Sequence, residues 1–94
     1  MVLTVKFIGA FRNFAEEDKI ALKVKGYATV KEIVKEIVEK MPKLEKVLID
    51  TELEDPRLNA LILVNGKEIS VLNGLETTLK DGDEILFVPV IHGG

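Results

Sequence analysis

The sequence ends on Gly93-Gly94, and the α-carboxylate of Gly94 is the group with the most evident chemistry in the chain. Glycine has no side chain and tolerates any backbone conformation, so a terminal diglycine can enter a channel that a larger residue would block. A carboxylate is unreactive until its oxygen becomes part of a leaving group, and adenylation by ATP supplies one. Sulfur or an amine can then attack the acyl-adenylate. We therefore expect Gly94, preceded by Gly93, to be a substrate that partner enzymes activate.

The side chains offer no competing reactive centre. The chain has no cysteine, which excludes disulfides, thiolate catalysis and cysteine metal sites. Its single histidine, His92, lies in the terminal segment and is more typical of an exposed residue than of a catalytic base. The stretch Asp81-Gly82-Asp83 lacks the remaining ligand spacing of a calcium loop and predicts a turn instead. We expect no metal site and no bound cofactor.

Length and composition are those of one soluble globular domain spanning residues 1–94. Apolar residues make up 47% and charged residues 31%, which is typical of a folded chain rather than a disordered one. The net charge of −3 disfavours nucleic-acid binding, because that needs a basic face. No apolar run approaches the roughly 20 residues of a membrane span, and the N-terminus lacks the features of a signal peptide. A cytoplasmic location is therefore expected.

Five stretches have the alternation or the compact apolar character of β-strands. They are Val2–Ile8, Lys19–Lys25, Ala60–Val64, Lys67–Val71 and Ile85–Val88. The first two are expected to pair antiparallel across Gly9–Asp18, a loop or short helical turn. The dipeptide Asn65-Gly66 predicts a tight hairpin, because a type I′ turn requires a positive φ at both positions.

One helix is predicted to begin after Thr29. Thr29 and Glu32 fit a capping box, in which each side chain accepts a hydrogen bond from the backbone N–H of the other residue. An apolar stripe follows at helical spacing: Val30, Ile33, Val34, Ile37, Val38 and Met41. Pro42 is expected to end the helix near Lys40.

The order of these elements predicts an α+β fold. The apolar stripe has to pack against the strands, which gives one mixed sheet of four to five strands with one main helix across one face. A short second helix over Leu44–Leu48 and an exposed loop over Thr51–Pro56 are expected after the main helix. If the last strand pairs in parallel with the first, the result is the β-grasp, ubiquitin-like arrangement. Pro89 is expected to end the last strand and to begin a flexible tail, residues 89–94.

The stretch Leu79–Gly94 resembles the end of MoaD, the small subunit of molybdopterin synthase, and of related ubiquitin-like sulfur carriers of the MoaD/ThiS superfamily. The family pattern is roughly L-x-D-G-D-E, then an apolar strand, then F-x-P-P-x-x-G-G. The matching residues are Leu79, Asp81, Gly82, Asp83, Glu84, Phe87, Pro89, Gly93 and Gly94. Val90 stands where the family has a second proline. The element order extends the resemblance over most of the chain.

This resemblance implies a sulfur carrier that is not catalytic alone. A ubiquitin-activating-type adenylyltransferase, the MoaD-activating enzyme, would adenylate Gly94 with its own ATP and Mg²⁺. A sulfur donor system would then convert the product to a thiocarboxylate. The thiocarboxylate would enter the large subunit of molybdopterin synthase and donate sulfur to precursor Z in molybdenum cofactor biosynthesis. The resemblance also implies a heterotetramer with that large subunit.

Both partners need a docking surface, and the outer face of the sheet is the candidate. Phe7, Ile85 and Phe87 are expected to fill the core. The predicted partner-binding residues are the neighbouring apolar residues that then have no evident place in the core, together with the adjoining proline: Ile8, Leu86, Val88, Pro89 and Val90. Exposed apolar patches tend to mark interaction sites.

Other functions stay open beside sulfur transfer to molybdopterin. The sulfur acceptor could be tRNA or, in a ThiS-like carrier, a thiamine precursor, although ThiS-like chains usually lack a segment like Pro42–Arg57. The chain could instead be an archaeal-type ubiquitin-like modifier whose Gly94 forms isopeptide bonds with target lysines. It could also be a β-grasp binding module whose terminus does no chemistry.

Overall fold

Seven strands and two α-helices make up the described part of the structure, a computed structural model that describes residues 1–15, 17–48 and 60–90. The strands are β1 (Val2–Phe7), β2 (Lys19–Lys23), β3 (Ala28–Thr29), β4 (Ala60–Val64), β5 (Lys67–Glu68), β6 (Thr78–Leu79) and β7 (Glu84–Pro89). The helices are α1 (Val30–Lys40) and α2 (Glu45–Leu48). Short 3₁₀ turns cover Gly9–Asn13, Pro42–Leu44, Ile69–Val71 and Gly74–Glu76.

The first strand and the last strand lie side by side, in parallel, within a five-stranded mixed sheet of order β2-β1-β7-β4-β5. Val5 is opposite Ile85, and Phe7 is opposite Phe87. The other neighbours in this sheet pair antiparallel, including the predicted pair of β1 and β2. Parallel neighbours need a long crossover, which the intervening chain with α1 provides. The predicted β-grasp, ubiquitin-like arrangement is therefore confirmed.

Helix α1 begins at the predicted capping box. Glu32 N–H donates to Thr29 Oγ1 at 3.3 Å, and Thr29 N–H donates to Glu32 Oε1 at 3.0 Å. These bonds satisfy two backbone donors that have no intrahelical partner. The side chains of the stripe that are fully buried are Val30, Ile33, Val34 and Ile37. The helix ends at Lys40, before Pro42, as predicted.

The hydrophobic core joins α1 to the inner face of the sheet. Phe7 and Phe87, neighbours in the parallel pair, stack with ring centroids 5.6 Å apart. Both rings are buried, and so is Ile85, which confirms the three predicted core residues. A stacked aromatic pair contributes about 0.5–1.5 kcal/mol beyond its buried area. The 3₁₀ turn Gly9–Asn13 adds Phe11 to the same core.

The hairpin at Asn65-Gly66 is confirmed, but the strand that returns from it is shorter than predicted. The φ angle is 50° at Asn65 and 83° at Gly66, as a type I′ turn requires. β5 covers only Lys67–Glu68, and the rest of the predicted strand is a 3₁₀ turn. The Glu68 carboxylate accepts a hydrogen bond from Ser70 N–H, which caps that turn and ends the strand.

A second, two-stranded sheet of β3 and β6 has no counterpart in the sequence prediction. Ala28 is opposite Leu79, and Val30 N–H donates to Thr77 O at 3.0 Å beside it. Each strand has only two residues, too few for an alternating pattern to be visible. The pairing ties the start of α1 to the segment that crosses toward β7.

The predicted short second helix is confirmed. It consists of the 3₁₀ turn Pro42–Leu44 followed by α2, and both Leu44 and Leu48 are buried. The exposed loop predicted for Thr51–Pro56 lies outside the described residues. None of the helices in the described ranges is long and apolar enough to cross a membrane.

Candidate functional site

Strand β7 carries the chain toward its C-terminus and ends one residue later than predicted. Pro89 lies opposite Ala60 of β4, so the strand does not end at Val88. Along an antiparallel ladder, hydrogen-bonded and non-hydrogen-bonded residue pairs alternate. Asn65 and Glu84 are a hydrogen-bonded pair, because Asn65 N–H donates to Glu84 O at 2.8 Å. Counting along the register from that bonded pair places Pro89 at a non-hydrogen-bonded position. β4 therefore needs no N–H from residue 89, and the strand tolerates a proline there.

The predicted reactive residues Gly93 and Gly94 lie outside the described residues, together with His92. Their roles stay predictions. Because Pro89 belongs to β7, the tail cannot begin there, and Val90 is the first residue after the strand. Five residues follow Pro89 in the sequence, so Gly94 can lie at most about 17 Å from Pro89. A partner that takes up the carboxylate must therefore dock close to the end of β7.

Five apolar side chains form a strip across the sheet, on the face opposite the core, and we name this strip the apolar outer face. Its residues are Ile8, Leu61, Leu63, Leu86 and Val88. Leu61 is opposite Val88, and Leu63 is opposite Leu86. Ile8 N–H donates to Phe87 O at 3.3 Å, which continues the parallel register and puts Ile8 beside Val88. Successive side chains of a strand point to opposite faces, so buried Phe87 lies on the other side.

The predicted partner-binding residues divide between the two sides of the sheet. Ile8 and Val90 are exposed, and Leu86 and Val88 are half-buried. Ile8, Leu86 and Val88 lie together on the apolar outer face. Pro89 is two residues after buried Phe87 on the same strand, and such side chains share a face of the sheet. The Pro89 ring is therefore on the side that faces α1. Pro89 is therefore not part of the apolar outer face.

Two residues of the apolar outer face, Leu61 and Leu63, were absent from the sequence prediction. Leu61 is 40% exposed although it sits in the middle of β4. The signal was present, because Ala60–Val64 is apolar at every position and such a run is typical of a strand covered on both faces. In the described structure β4 is covered on one face only. On its second face Leu61 stays exposed, and exposed apolar residues of this kind tend to mark interaction sites.

A charged pair borders the apolar outer face. Lys6 Nζ lies 3.1 Å from Glu84 Oε2, and Lys6 is opposite Leu86 in the parallel register. Both side chains are partly exposed, so the pair adds at most about 1 kcal/mol to stability. Charges at the rim of an interface act more on orientation and association rate than on affinity.

The turn Asp81-Gly82-Asp83 is confirmed as a structural element. Asp81 Oδ1 accepts from Val2 N–H at 2.7 Å, and Asp83 Oδ2 accepts from Lys80 N–H at 2.8 Å. Asn65 Nδ2 donates to Asp83 Oδ1 at 2.8 Å. The carboxylates thus join the turn to β1 and to the hairpin. Among the described residues, no group of three or more His, Asp or Glu side chains is placed to hold a metal ion.

Comparison with known proteins assigns the chain to a family. The family model described as the ThiS family matches residues 5–94. The chain belongs to the ThiS family. This ThiS-family chain is 31% identical over 94 residues to small archaeal modifier protein 3 of Haloferax volcanii, with 100% of both chains covered.

Solved structures support the same grouping. The solution structure of small archaeal modifier protein 1 from Methanosarcina acetivorans matches with a TM-score of 0.84 and 31% identity, covering 99% of this chain and 96% of that one. A chain of the complex of subunits 1 and 2 of molybdopterin-converting factor from Helicobacter pylori 26695 matches with a TM-score of 0.63 and 26% identity, covering 100% of both. The predicted resemblance to ubiquitin-like carriers of the MoaD/ThiS type is thereby confirmed.

Proposed function

We propose that this ThiS-family protein is a cytoplasmic sulfur carrier and the small subunit of a molybdopterin synthase. The carboxylate of Gly94 is adenylated by a partner and converted to a thiocarboxylate, which then donates its sulfur. The family match over residues 5–94, which extends through Gly93-Gly94, carries the proposal. The similarity to a chain of the Helicobacter pylori molybdopterin-converting factor complex supports molybdopterin as the destination of the sulfur.

The proposed activation of Gly94 has two steps. The carboxylate oxygen attacks the α-phosphorus of ATP, whose Mg²⁺ is held by the partner, and pyrophosphate leaves. A hydrosulfide sulfur from the donor system then attacks the acyl carbon. AMP leaves with the electron pair of its bond to carbon, and the thiol proton is released to solvent. The product is an ionised thiocarboxylate, a soft nucleophile. The carrier contributes the substrate terminus, and the partners contribute the catalytic groups.

The apolar outer face is the proposed docking surface for the adenylyltransferase and for the synthase large subunit. It lies on β4, on β7 and at the end of β1, and β7 leads directly into the tail. This proximity suits a carboxylate that reaches at most about 17 Å from Pro89. The pair of Lys6 and Glu84, 3.1 Å apart on the border, is placed to orient a partner. Because both partners use one surface, they bind in turn.

A second candidate function is protein modification. Here the ε-amine of a target lysine attacks the acyl-adenylate of Gly94, AMP leaves, and an isopeptide bond forms with loss of one proton from the amine. The observation that favours it is the 31% identity to small archaeal modifier protein 3 over 94 residues. The activation step is the same in both functions, and only the nucleophile differs.

Intact-mass spectrometry separates activation from inactivity. The protein is incubated with the adenylyltransferase of its own genome, ATP, Mg²⁺ and a sulfide source. A sulfur carrier gains the mass difference between sulfur and oxygen at its C-terminus. The Gly94-deleted variant serves as the control and should not react. An unchanged mass for the wild type under these conditions would refute the carrier proposal.

Conjugate detection separates the two acceptors. The tagged protein is expressed in its host, and lysates are probed for species of higher mass. Conjugates that disappear when Gly94 is deleted indicate the modifier function. Co-purification with the molybdopterin synthase large subunit, together with loss of molybdopterin when the gene is deleted, indicates the carrier function. Absence of that co-purification counts against the synthase assignment.

A further inference from the structure

Gly9 lies beside Pro89, the last residue of β7, and the space for a side chain at position 9 is taken up by the proline ring. Its φ angle is +62°, in the left-handed region that favours glycine. A Cβ atom built on Gly9 would lie 3.0 Å from Pro89 Cγ and 3.3 Å from Pro89 Cδ, closer than ordinary van der Waals contact. Both the backbone angle and the short distances therefore favour glycine at position 9, and a side chain there would have to displace the proline ring.

Gly9 and Pro89 meet where the end of β1 lies beside the end of β7. Ile8 N–H donates to Phe87 O at 3.3 Å, so the parallel ladder extends to the residue before Gly9. The chain then turns into the 3₁₀ turn Gly9–Asn13. β4 is the neighbour of β7 on its other side, and there Pro89 is opposite buried Ala60. The proline thus stands between two of the smallest residues, with neighbours on both sides.

We infer that Gly9 is a positioning residue that sets the direction in which the C-terminal tail leaves the sheet, and that carboxylate activation depends on this setting. The inference rests on the proposed function of Gly94. Only five residues follow Pro89. A tail this short that enters an enzyme channel cannot easily compensate for a shift in the position of Pro89. A side chain at position 9 pushes the Pro89 ring by several tenths of an ångström. We expect docking through the apolar outer face to be unchanged, while the Gly94 carboxylate is misplaced relative to the α-phosphorus of ATP.

The chain supplies a matched control for this contact. Gly26 has a φ of +67°, close to that of Gly9, but within the described part of the chain nothing lies within 4 Å of a Cβ built on it. Gly26→Ala therefore imposes the same kind of backbone strain without touching the tail. Pro89→Ala removes the two ring atoms that meet position 9. In the Pro89→Ala background, Gly9→Ala has only its backbone strain left.

Pyrophosphate exchange by the adenylyltransferase of the same genome is measured at varied carrier concentration. It gives kcat and KM for each carrier variant. Gly9→Ala is expected to lower kcat by about tenfold, because a small misplacement of a reacting group is costly, while KM changes by less than about twofold. Gly26→Ala is expected to leave both parameters near the wild-type values. In the Pro89→Ala background, Gly9→Ala is expected to cause no further loss of kcat. If Gly9 only stabilised the fold, its effect on kcat would not disappear when the Pro89 ring is removed.

The free protein gives a second readout that needs no enzyme. In ¹⁵N–¹H NMR spectra, the amide of Val90 and the amides after it are expected to shift in Gly9→Ala but not in Gly26→Ala. Wild-type kcat for Gly9→Ala, or an equal loss in the Pro89→Ala background, overturns the inference. If Gly9→Ala does not fold, the Pro89→Ala variant alone tests the inference. It is expected to lower kcat at unchanged KM. An unchanged kcat would overturn the inference. A wild type that is not adenylated overturns the proposed function and this role together, whereas altered kcat in every glycine variant overturns this role alone.

Discussion

Replacing Ile8 and Leu61 by serine tests the apolar outer face, since both side chains protrude from it and add little to the core. Ile8 is 41% exposed and Leu61 is 40% exposed. Burying a whole side chain of this size stabilises by about 1.5–3 kcal/mol, so covering the exposed two-fifths is worth about 0.6–1.2 kcal/mol for each residue. The variant Ile8→Ser/Leu61→Ser should therefore lose about 1.2–2.4 kcal/mol of docking free energy, a factor of roughly 8–60 in affinity.

Adenylation kinetics measure this loss. KM for the carrier should rise by roughly that factor while kcat stays the same, because docking contributes equally to the ground state and the transition state. Val71→Ser is the matched control, since Val71 is 74% exposed but belongs to the 3₁₀ turn Ile69–Val71 and not to the apolar outer face. Its KM should stay near the wild-type value. Thermal unfolding of each variant checks that the fold is retained.

Three results would refute the reasoning. If the folded double variant Ile8→Ser/Leu61→Ser keeps a wild-type KM, the adenylyltransferase docks elsewhere. If Val71→Ser raises KM as much as the double variant does, the effect reflects general surface hydrophobicity rather than a specific face. A fall in kcat at constant KM would also contradict the assignment, since that pattern is expected of Gly9→Ala.

Three further predictions concern stability, measured as the free energy of unfolding in urea. Phe87→Ala removes a fully buried ring that stacks on Phe7 and should cost about 3–5 kcal/mol; a loss below about 1 kcal/mol would mean that the core collapses around the gap. Thr29→Ala removes the N-cap of α1 and should cost about 0.5–2 kcal/mol. Thr78, which is opposite Thr29 on β6, is exposed. Thr78→Ala is the control and should cost less. Asn65→Ala removes two side-chain hydrogen bonds, one to the Asp83 carboxylate and one from the Glu84 N–H, and should cost about 1–3 kcal/mol. An unchanged stability would show that water replaces both bonds.

Patterns that repeat over several residues predicted the architecture. The capping box at Thr29 and the stripe behind it define α1 because helix formation depends on local spacing. The dipeptide Asn65-Gly66 defines the hairpin because few residues adopt its backbone angles. The short elements were not predictable in this way. β5 ends where the Glu68 carboxylate accepts from Ser70 N–H, and β3 and β6 pair over two residues each, next to a hydrogen bond from Val30 N–H to Thr77 O at 3.0 Å. Such single contacts leave no period in the sequence.

The candidate site was predictable where it depended on alternation along β7. Leu86 and Val88 alternate with Ile85 and Phe87, so the outward face follows once the core face is known. Leu61 could not be assigned in the same way, because β4 is apolar at every position and its open face depends on where α1 packs. The place of the proline in β7 depends on the register with β4, which only the folded structure supplies.

The central position of β7 also bears on when the protein becomes recognisable during synthesis. β7 is the last described strand of the chain, yet it lies between β1 and β4. Pairing between strands from opposite ends of a chain forms late, since a large loop must close first. While the chain is still on the ribosome, Ile8 and Leu61 have no strand between them, and the apolar outer face does not exist. We expect a chain arrested before Glu84 to fail to bind the activating enzyme in a pull-down, so that recognition reports a finished and folded carrier.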